Sequence, residues 1–201
     1  MTARVIVNRV WLWHVGQGLV RTPNDFGLIG QRPTHPELLD WLAHWFVNEA
    51  DWSLKKLHRL IMTSRTWQMS RTPRVDYMAT DPDTRLLWRM PYRRLEVEAI
   101  RDSMMFVSGR LDRKMYGPPM HPFVPRDALL NHADKDKIWP KFNEAAASRR
   151  TIYAYVKRSL MVPLLEVLDF CDTAQTAPQR TVTTVPTQAL TLFNEIGRAH
   201  V

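Results

Sequence analysis

The residues best suited to chemistry lie in the stretch NRVWLWHVGQGLVRTPNDFG near the start of the chain and shortly after it. Asp25, His35 and His14 are the candidate catalytic residues, because carboxylates and imidazoles serve as general acids and bases. Arg21 and Asn24 are candidate ligand-binding residues, since a guanidinium can bind a ligand carboxylate through two hydrogen bonds. One hypothesis is therefore a hydrolytic or redox enzyme acting on polysaccharide, with a site in a cleft near Arg21 and Asp25.

The same residues also have a structural interpretation. An Asx turn at Asn24 or Asp25 would satisfy the polar groups of this loop locally. His14 follows Trp11 by three positions and so shares a helix face with it, where packing is the common role. His35 stands at a helix N-terminus, where it would pack a turn. Because these candidates come from separate elements, without His-Glu-x-x-His spacing, the sequence predicts no metal site.

Arg93 and Arg94 form a second candidate ligand-binding group, since an arginine pair beside Tyr92 could hold an anion. The alternative is a charged helix face with ion pairs three and four positions apart. That face would also include Glu96, Glu98, Arg101 and Asp102. Further along the chain, Gln188 is predicted to point inward and to bond to buried backbone.

The chain is basic, with a formal charge of +8 over 201 residues. Its arginines are scattered among carboxylates and form no block of like charge, so nucleic-acid binding is disfavoured. The single cysteine, Cys171, cannot form an internal disulfide. No apolar run reaches the roughly 18 to 20 residues of a membrane span, and the first residues lack the pattern of a signal peptide.

Apolar spacing predicts a mainly α-helical fold with minor β structure in a single domain. A largely buried helix is expected over Ala3–Val15, with Gly16 and Gly18 as stop signals. Thr34 and Glu37 form a capping-box pattern that opens the next helix. Trp11 and Trp13 lie about 200° apart on the first helix, so at least one of them is expected in the core.

Seven further elements follow from the pattern. Ser53 is expected to cap the third helix, a short helical turn is expected over 81–88, and a fourth clear helix over 93–108 ends at Gly109. The alternating residues 150–157 predict a strand. Elements near the end of the chain are a short helix begun by Pro163, an extended stretch at 181–185 and a final helix from Pro186.

Both ends of the chain suggest a piece of a larger protein. One reverse translation of the final IGRAHV, atc-gga-aga-gca-cac-gtc, resembles a common sequencing adapter. Glu195–Val201 is therefore predicted to be read-through from library DNA, as in metagenomic sequences, and not native protein. An apolar helix begins directly after Met1, so this residue is interpreted as an internal methionine.

Several phrases carry a family resemblance that spans Thr2 to Asn194. They are TARVIVNRVWLWHVGQGLVRTPNDFGLIG, PTHPELLDWLA, WSLKKLHRLIMTS, TRLLWRMPYRRLEVEAIRDSM, SGRLD, YAYVKRS, LLEVLDF and TTVPTQALTLFN. In this order they resemble the C-terminal domain of unknown function of the planctomycete-type secreted proteins. The segment 113–148 matches none of these phrases and is interpreted as a variable insertion.

The resemblance implies a context for the chain. Members of this family are typically exported, with an upstream cytochrome-c-like haem domain, so a haem c would belong to another domain and this chain would hold no cofactor. The implied partners are the upstream domains of the same polypeptide and extracellular polysaccharide. The resemblance thus implies an accessory or structural domain, acting beside a haem domain in electron transfer or in the handling of extracellular polymers.

Overall fold

The chain is mainly helical, which confirms the fold class predicted from the sequence. The structure, a computed structural model, describes residues 1–129 and 138–199, with residues 195–199 described by their backbone alone. These residues form eight α-helices and two short 3-10 turns, and no sheet occurs among them. The chain divides into two compact units, Met1–Arg93 and Arg94–Val201, each with a hydrophobic core.

The first unit contains four helices. They are α1 (Thr2–Val15), α2 (Pro36–Asn48), α3 (Leu54–Met62) and α4 (Val75–Thr80). The helix α1 packs against α2 and α3, and its buried face includes Val7, Val10 and Trp11. None of the helices in the described part of the chain is long and apolar enough to cross a membrane.

The helix α1 ends where its sequence predicts. Gly16 has φ of 91°, a left-handed conformation that glycine adopts without strain, and its N–H donates to the Leu12 carbonyl at 2.8 Å. Trp11 is 5% exposed whereas Trp13 is 51% exposed. The prediction that at least one of these tryptophans belongs to the core is therefore confirmed.

The helix caps were predicted with mixed success. Ser53 accepts a hydrogen bond from the Lys56 N–H at 3.4 Å, which confirms the predicted cap of α3. The prediction of a capping box for α2 is wrong, because the residue at the N-terminal cap is His35 and not Thr34. The Thr34 N–H and hydroxyl instead both donate to the Leu19 carbonyl oxygen, at 2.8 and 3.3 Å. A contact 15 positions away thus takes the groups that the capping box would have used.

The helical turn predicted over 81–88 is also wrong. The helix of this region is α4, which lies upstream, and Asp81 follows it directly. The Asp81 carboxylate accepts from the N–H groups of Arg85 and Leu86 at 2.9 and 2.8 Å. Two residues of the segment, Thr84 and Leu87, have φ of 54° and 55°. The hydrogen bonds to the Asp81 carboxylate and the two left-handed residues fold the segment into successive turns, so no regular helix forms.

The second unit contains the remaining helices and 3-10 turns. The helices are α5 (Val97–Val107), α6 (Glu144–Ala147), α7 (Pro163–Val167) and α8 (Pro186–Ala199), and the 3-10 turns are Arg126–Leu129 and Thr151–Tyr153. Pro163 and Pro186 begin helices, as predicted, and Gly109 with φ of 73° follows the end of α5. The variable insertion predicted at 113–148 lies partly outside the described residues, as do the last two residues of the predicted read-through.

The predicted strand at 150–157 is wrong, because Thr151–Tyr153 forms a 3-10 turn. The Thr151 N–H and hydroxyl donate to the Asp102 carboxylate at 2.7 and 2.6 Å, and the hydroxyl also accepts from Arg101 at 3.1 Å. These contacts fix the turn against the local preference for an extended chain. The β structure that remains is isolated bridges, including one between Met120 and Ala154.

Candidate functional site

The TPNDFG segment is a loop closed by its own polar groups. The Asp25 carboxylate accepts from the Gly27 N–H at 2.8 Å, which is an Asx turn of the kind expected here. The Thr22 hydroxyl donates to the Asp25 carbonyl at 2.7 Å and accepts from the Gln31 N–H at 3.0 Å. A Cβ atom on Gly30 would lie 2.2 Å from the Asp25 carbonyl oxygen, so glycine is required at that position.

The two ligand-binding candidates of this loop also contact other parts of the first unit. The Arg21 guanidinium donates to the Asp83 carbonyl at 3.1 Å, and not to Asp25. Asn24 accepts from the Arg9 guanidinium at 2.7 Å, which ties the loop to α1. A cavity beside Arg21 has a volume of about 20 Å³, which is room for about one water molecule.

His14 belongs to an aromatic cluster within the first unit. Its Nε2 atom lies 2.7 Å from Nδ1 of His58, so one of these nitrogens donates a hydrogen bond to the other. The Trp67 ring meets the His14 ring edge-on, with centroids 5.2 Å apart. Burial lowers the pKa of His14, and the nearby His58 and Arg93 lower it further because a positive charge on a neighbour disfavours one on His14.

The three catalytic candidates have different partners in the structure. His35 Nδ1 lies 3.0 Å from the Thr34 hydroxyl, while His14 pairs with His58 and Asp25 closes its own loop. In the part of the chain that the structure describes, no three His, Cys, Asp or Glu side chains group closely enough to hold a metal ion.

The lowered pKa of His14 leads to a prediction about pH. Below its ordinary pKa of about 6.5 the unfolded chain takes up a proton that the folded chain resists. The contribution of neutral His14 to the free energy of unfolding is thus present above about pH 6.5. It is lost as pH falls through that value towards the pKa of His14 in the folded chain. We expect the urea midpoint to drop between about pH 7.5 and about pH 5 by more in the parent than in His14→Gln. The exposed His44 on α2 provides the matched control, and an unchanged slope in His14→Gln would contradict the assignment.

Arg93 and Arg94 lie before α5 and have different surroundings. The stem of Arg93 lies against Gly16, within the first unit. Arg94 donates to the Asp169 carboxylate at 2.5 Å, to the Thr183 carbonyl at 2.6 Å and to Gln188 Oε1 at 3.1 Å. The predicted anion-binding arginine is thus ion-paired with a carboxylate of its own unit.

Asp169 is the centre of this polar cluster in the second unit. Burial alone would raise its pKa, but hydrogen bonds from the Thr183 N–H and hydroxyl and from Arg94 lower the pKa of Asp169 to about 2. Gln188 is 7% exposed and donates to the Val167 carbonyl at 3.0 Å. This confirms the prediction that Gln188 points inward and bonds to buried backbone.

The charged face predicted for α5 uses partners far along the chain. Both oxygens of Glu98 accept from Arg180 at 2.6 Å, a bidentate ion pair that lowers the pKa of Glu98 despite its partial burial. Arg101 is 8% exposed and donates to the carbonyls of Ala147 and Arg149. Sequence spacing predicted partners within the helix, and the fold supplies further partners for Glu98 and Arg101 from other segments.

The second unit contains a cavity of about 850 Å³, which is partly open to solvent. Helices α5, α6, α7 and α8 contribute to its walls together with the loops between them. Its lining is mainly apolar and includes Met104, Met105, Pro122, Phe123, Phe142 and Leu164. The polar lining residues are the minority: Arg101, Ser148, Thr191, Asn194 and the Arg110–Glu144 ion pair. Such a cavity can hold an apolar molecule with one or two polar atoms.

The sequence did not reveal this cavity as a site. Its walls come from segments as far apart as Arg101 and Asn194, and each contributes ordinary core-type residues. The adjacent Met104 and Met105 were the one local signal, since methionine is common at adaptable binding surfaces. Helical spacing assigns Met104 to the core face of α5, which is the more frequent role.

Comparison with known proteins identifies a family for this chain. The family model PSD1, described as a protein of unknown function (DUF1553), matches residues 1–197. The match covers nearly the whole chain, so the chain belongs to this family. No curated protein and no solved structure matches the chain.

Proposed function

We propose, on the premise that the chain belongs to the PSD1 family, that it is an accessory ligand-binding domain of an exported multidomain protein. The cavity of the second unit is the observation that carries the binding function. Its volume of about 850 Å³ lies within the roughly 300–1,000 Å³ typical of small-molecule sites. Apolar walls with few polar groups favour a small apolar or amphipathic organic ligand.

The context of this proposal rests on the resemblance to secreted multidomain proteins. We infer export of the full-length protein, with a haem c held by an upstream domain and no cofactor in this chain. The domain would act beside the haem domain, in electron transfer or in the handling of extracellular polymers. Sequencing the source locus through both ends tests this context. An upstream signal peptide and Cys-x-x-Cys-His would support it, whereas true ends at Met1 and Val201 would oppose it.

The loop contacts support an accessory role over an enzyme with its site near Arg21 and Asp25. The polar groups of Arg21, Asn24 and Asp25 are used in building and anchoring the loop. A catalytic acid or base instead needs a proton-transfer position open to substrate. Polysaccharide hydrolysis by the full-length protein that is lost in Asp25→Asn, with unchanged folding, would reverse this preference.

The cavity proposal predicts saturable binding of an uncharged apolar dye such as N-phenyl-1-naphthylamine. We expect one equivalent to bind the parent chain, with fluorescence enhancement. The substitution Met104→Trp adds volume inside the cavity and should weaken binding by about tenfold or more, which is about 1.4 kcal/mol. Met62→Trp adds the same ring at an exposed position of α3 and should change affinity less than about twofold. Equal binding by both variants would count against the cavity as the site.

A further inference from the structure

A row of two arginine and three aromatic side chains runs across the segment 74–92 of the first unit. The Arg74 guanidinium lies over the Tyr77 ring at 5.1 Å, and the Tyr77 and Trp88 ring centroids are 5.6 Å apart. Arg89 lies 5.0 Å from the Trp88 ring centroid and 5.7 Å from that of Tyr92. We call these five residues the arginine–aromatic row.

Local structure holds the row in place. Tyr77 lies on α4, and Arg74 is the residue at its N-terminal cap. The Trp88 indole N–H donates to the Asp81 carbonyl at 2.9 Å, and the Asp81 carboxylate fixes the turn between them. The Tyr77 and Trp88 rings are therefore positioned before any ligand arrives, which lowers the entropy cost of binding.

The row presents ring surface and positive charge to solvent together. Tyr77 is 46% exposed and Tyr92 is 71% exposed. The ring contacts are the side-chain interactions of Arg74 and Arg89, and neither guanidinium forms an ion pair within the described residues. The Nε atom of Arg89 is buried and has no hydrogen-bond partner there.

We propose that the arginine–aromatic row binds an anionic polysaccharide. The flat C–H faces of sugar rings would pack against Tyr77 and Tyr92, and carboxylate or sulfate groups would pair with Arg74 and Arg89. This inference rests on the proposed role in polymer handling and gives that role a site and a polymer class. It depends on the first unit alone, so it is tested separately from the cavity.

The charge around the row favours a polysaccharide over a nucleic acid. Rings interleaved with arginines also suit single-stranded nucleic acids, whose bases stack on aromatic side chains. The segment, however, also carries the exposed carboxylates of Asp76 and Asp83. They would repel a polymer that bears one charge on every nucleotide. A polysaccharide in which only some of the sugars carry an anionic group, as in a partly esterified polyuronate, meets less of this repulsion.

Binding of the full chain to three polymers tests the inference. The probes are a partly esterified polyuronate, in which only a minority of the sugars carry a free carboxylate, neutral dextran and oligo-deoxythymidine, compared at the same salt concentration. We expect the polyuronate to bind, dextran to bind at least about tenfold more weakly, and oligo-deoxythymidine to bind more weakly than the polyuronate. Tighter binding of oligo-deoxythymidine would overturn the proposal in favour of nucleic acid, and no binding of the polyuronate would overturn it outright.

Substitutions of residues in the row test whether the polyuronate binds there. Arg89→Gln, Arg74→Gln and Tyr92→Ala should each weaken polyuronate binding by about tenfold, with circular dichroism spectra like that of the parent. Arg74 and Tyr92 are exposed, so their variants leave the core intact if Arg89→Gln does not fold. Arg65→Gln removes the same charge from an exposed arginine outside the row and should change binding less than about twofold. An equal loss in Arg65→Gln would mean that net charge, and not the row, binds the polymer.

Discussion

Replacing Asn8 with alanine is expected to destabilise the first unit by about 3 kcal/mol, a large share of the roughly 5–15 kcal/mol that stabilises a typical domain. Asn8 is fully buried on α1. Its side-chain amide donates to the Val20 carbonyl at 3.0 Å and its oxygen accepts from the Val20 N–H at 2.8 Å. Truncation leaves both backbone groups buried without partners, and each such group costs about 1–3 kcal/mol.

The packing around Asn8 makes relaxation difficult. A Cβ atom on Gly18 would lie 2.5 Å from the Val20 carbonyl oxygen and 2.8 Å from the Asn8 amide. The backbone thus approaches the amide closely, and little space exists for another side chain to replace its hydrogen bonds. The Asn8 contact fixes how the chain turns after α1 towards the TPNDFG loop.

Urea unfolding followed by tryptophan fluorescence measures this effect, because seven of the eight tryptophans lie in the first unit. The matched control is Asn48→Ala, which removes an exposed amide bonded to the His44 carbonyl. Its effect should stay within about 0.5 kcal/mol. A similarly small effect of Asn8→Ala would show that the paired amide contributes little.

Replacing Asp169 with asparagine should destabilise the second unit by about 2 kcal/mol near neutral pH, as follows from a pKa lowered from 3.8 to about 2. Asparagine keeps the shape of the side chain and also tolerates the left-handed φ of 62° at this position. What changes is the charge that faces Arg94 and the acceptor that faces the Thr183 N–H and hydroxyl. The side-chain N–H₂ group of asparagine would place a hydrogen-bond donor against these donor groups.

The same variant should change the acid dependence of stability. Because the folded pKa is lower than the unfolded one, the stabilisation is present above the unfolded pKa of about 3.8. It is lost as pH falls from there through about 2. We expect the parent to lose stability over this range and Asp169→Asn to lose less.

Hydrogen exchange of amides in the second unit, read between about pH 4 and about pH 2 after correction for intrinsic rates, would measure this dependence. Asp172→Asn is the control, because Asp172 is exposed and its carboxylate accepts from the nearby Ala174 N–H. Equal acid dependence in the parent and Asp169→Asn would contradict the role assigned to the Asp169 cluster.

Features that depend on neighbouring residues were predictable from the sequence. The spacing of apolar residues predicted α1. Gly16 ends α1 and Ser53 caps the start of α3, each through a hydrogen bond to a residue only a few positions away. The Asx turn at Asp25 needs only the N–H two residues later. Such short-range contacts are encoded by local residue order, so periodicity and turn residues are sufficient to find them.

The tertiary structure decided the partners of the polar side chains. Arg94 meets Asp169 from 75 positions away and Arg101 reaches Arg149 from 48 positions away. Thr151 turned a predicted strand into a 3-10 turn because Asp102 binds it. No local rule identifies such partners, since they depend on how segments pack.

By itself the sequence determined a mainly helical member of the PSD1 family. Only packing assembled the cavity and the arginine–aromatic row, since both draw their side chains from more than one structural element.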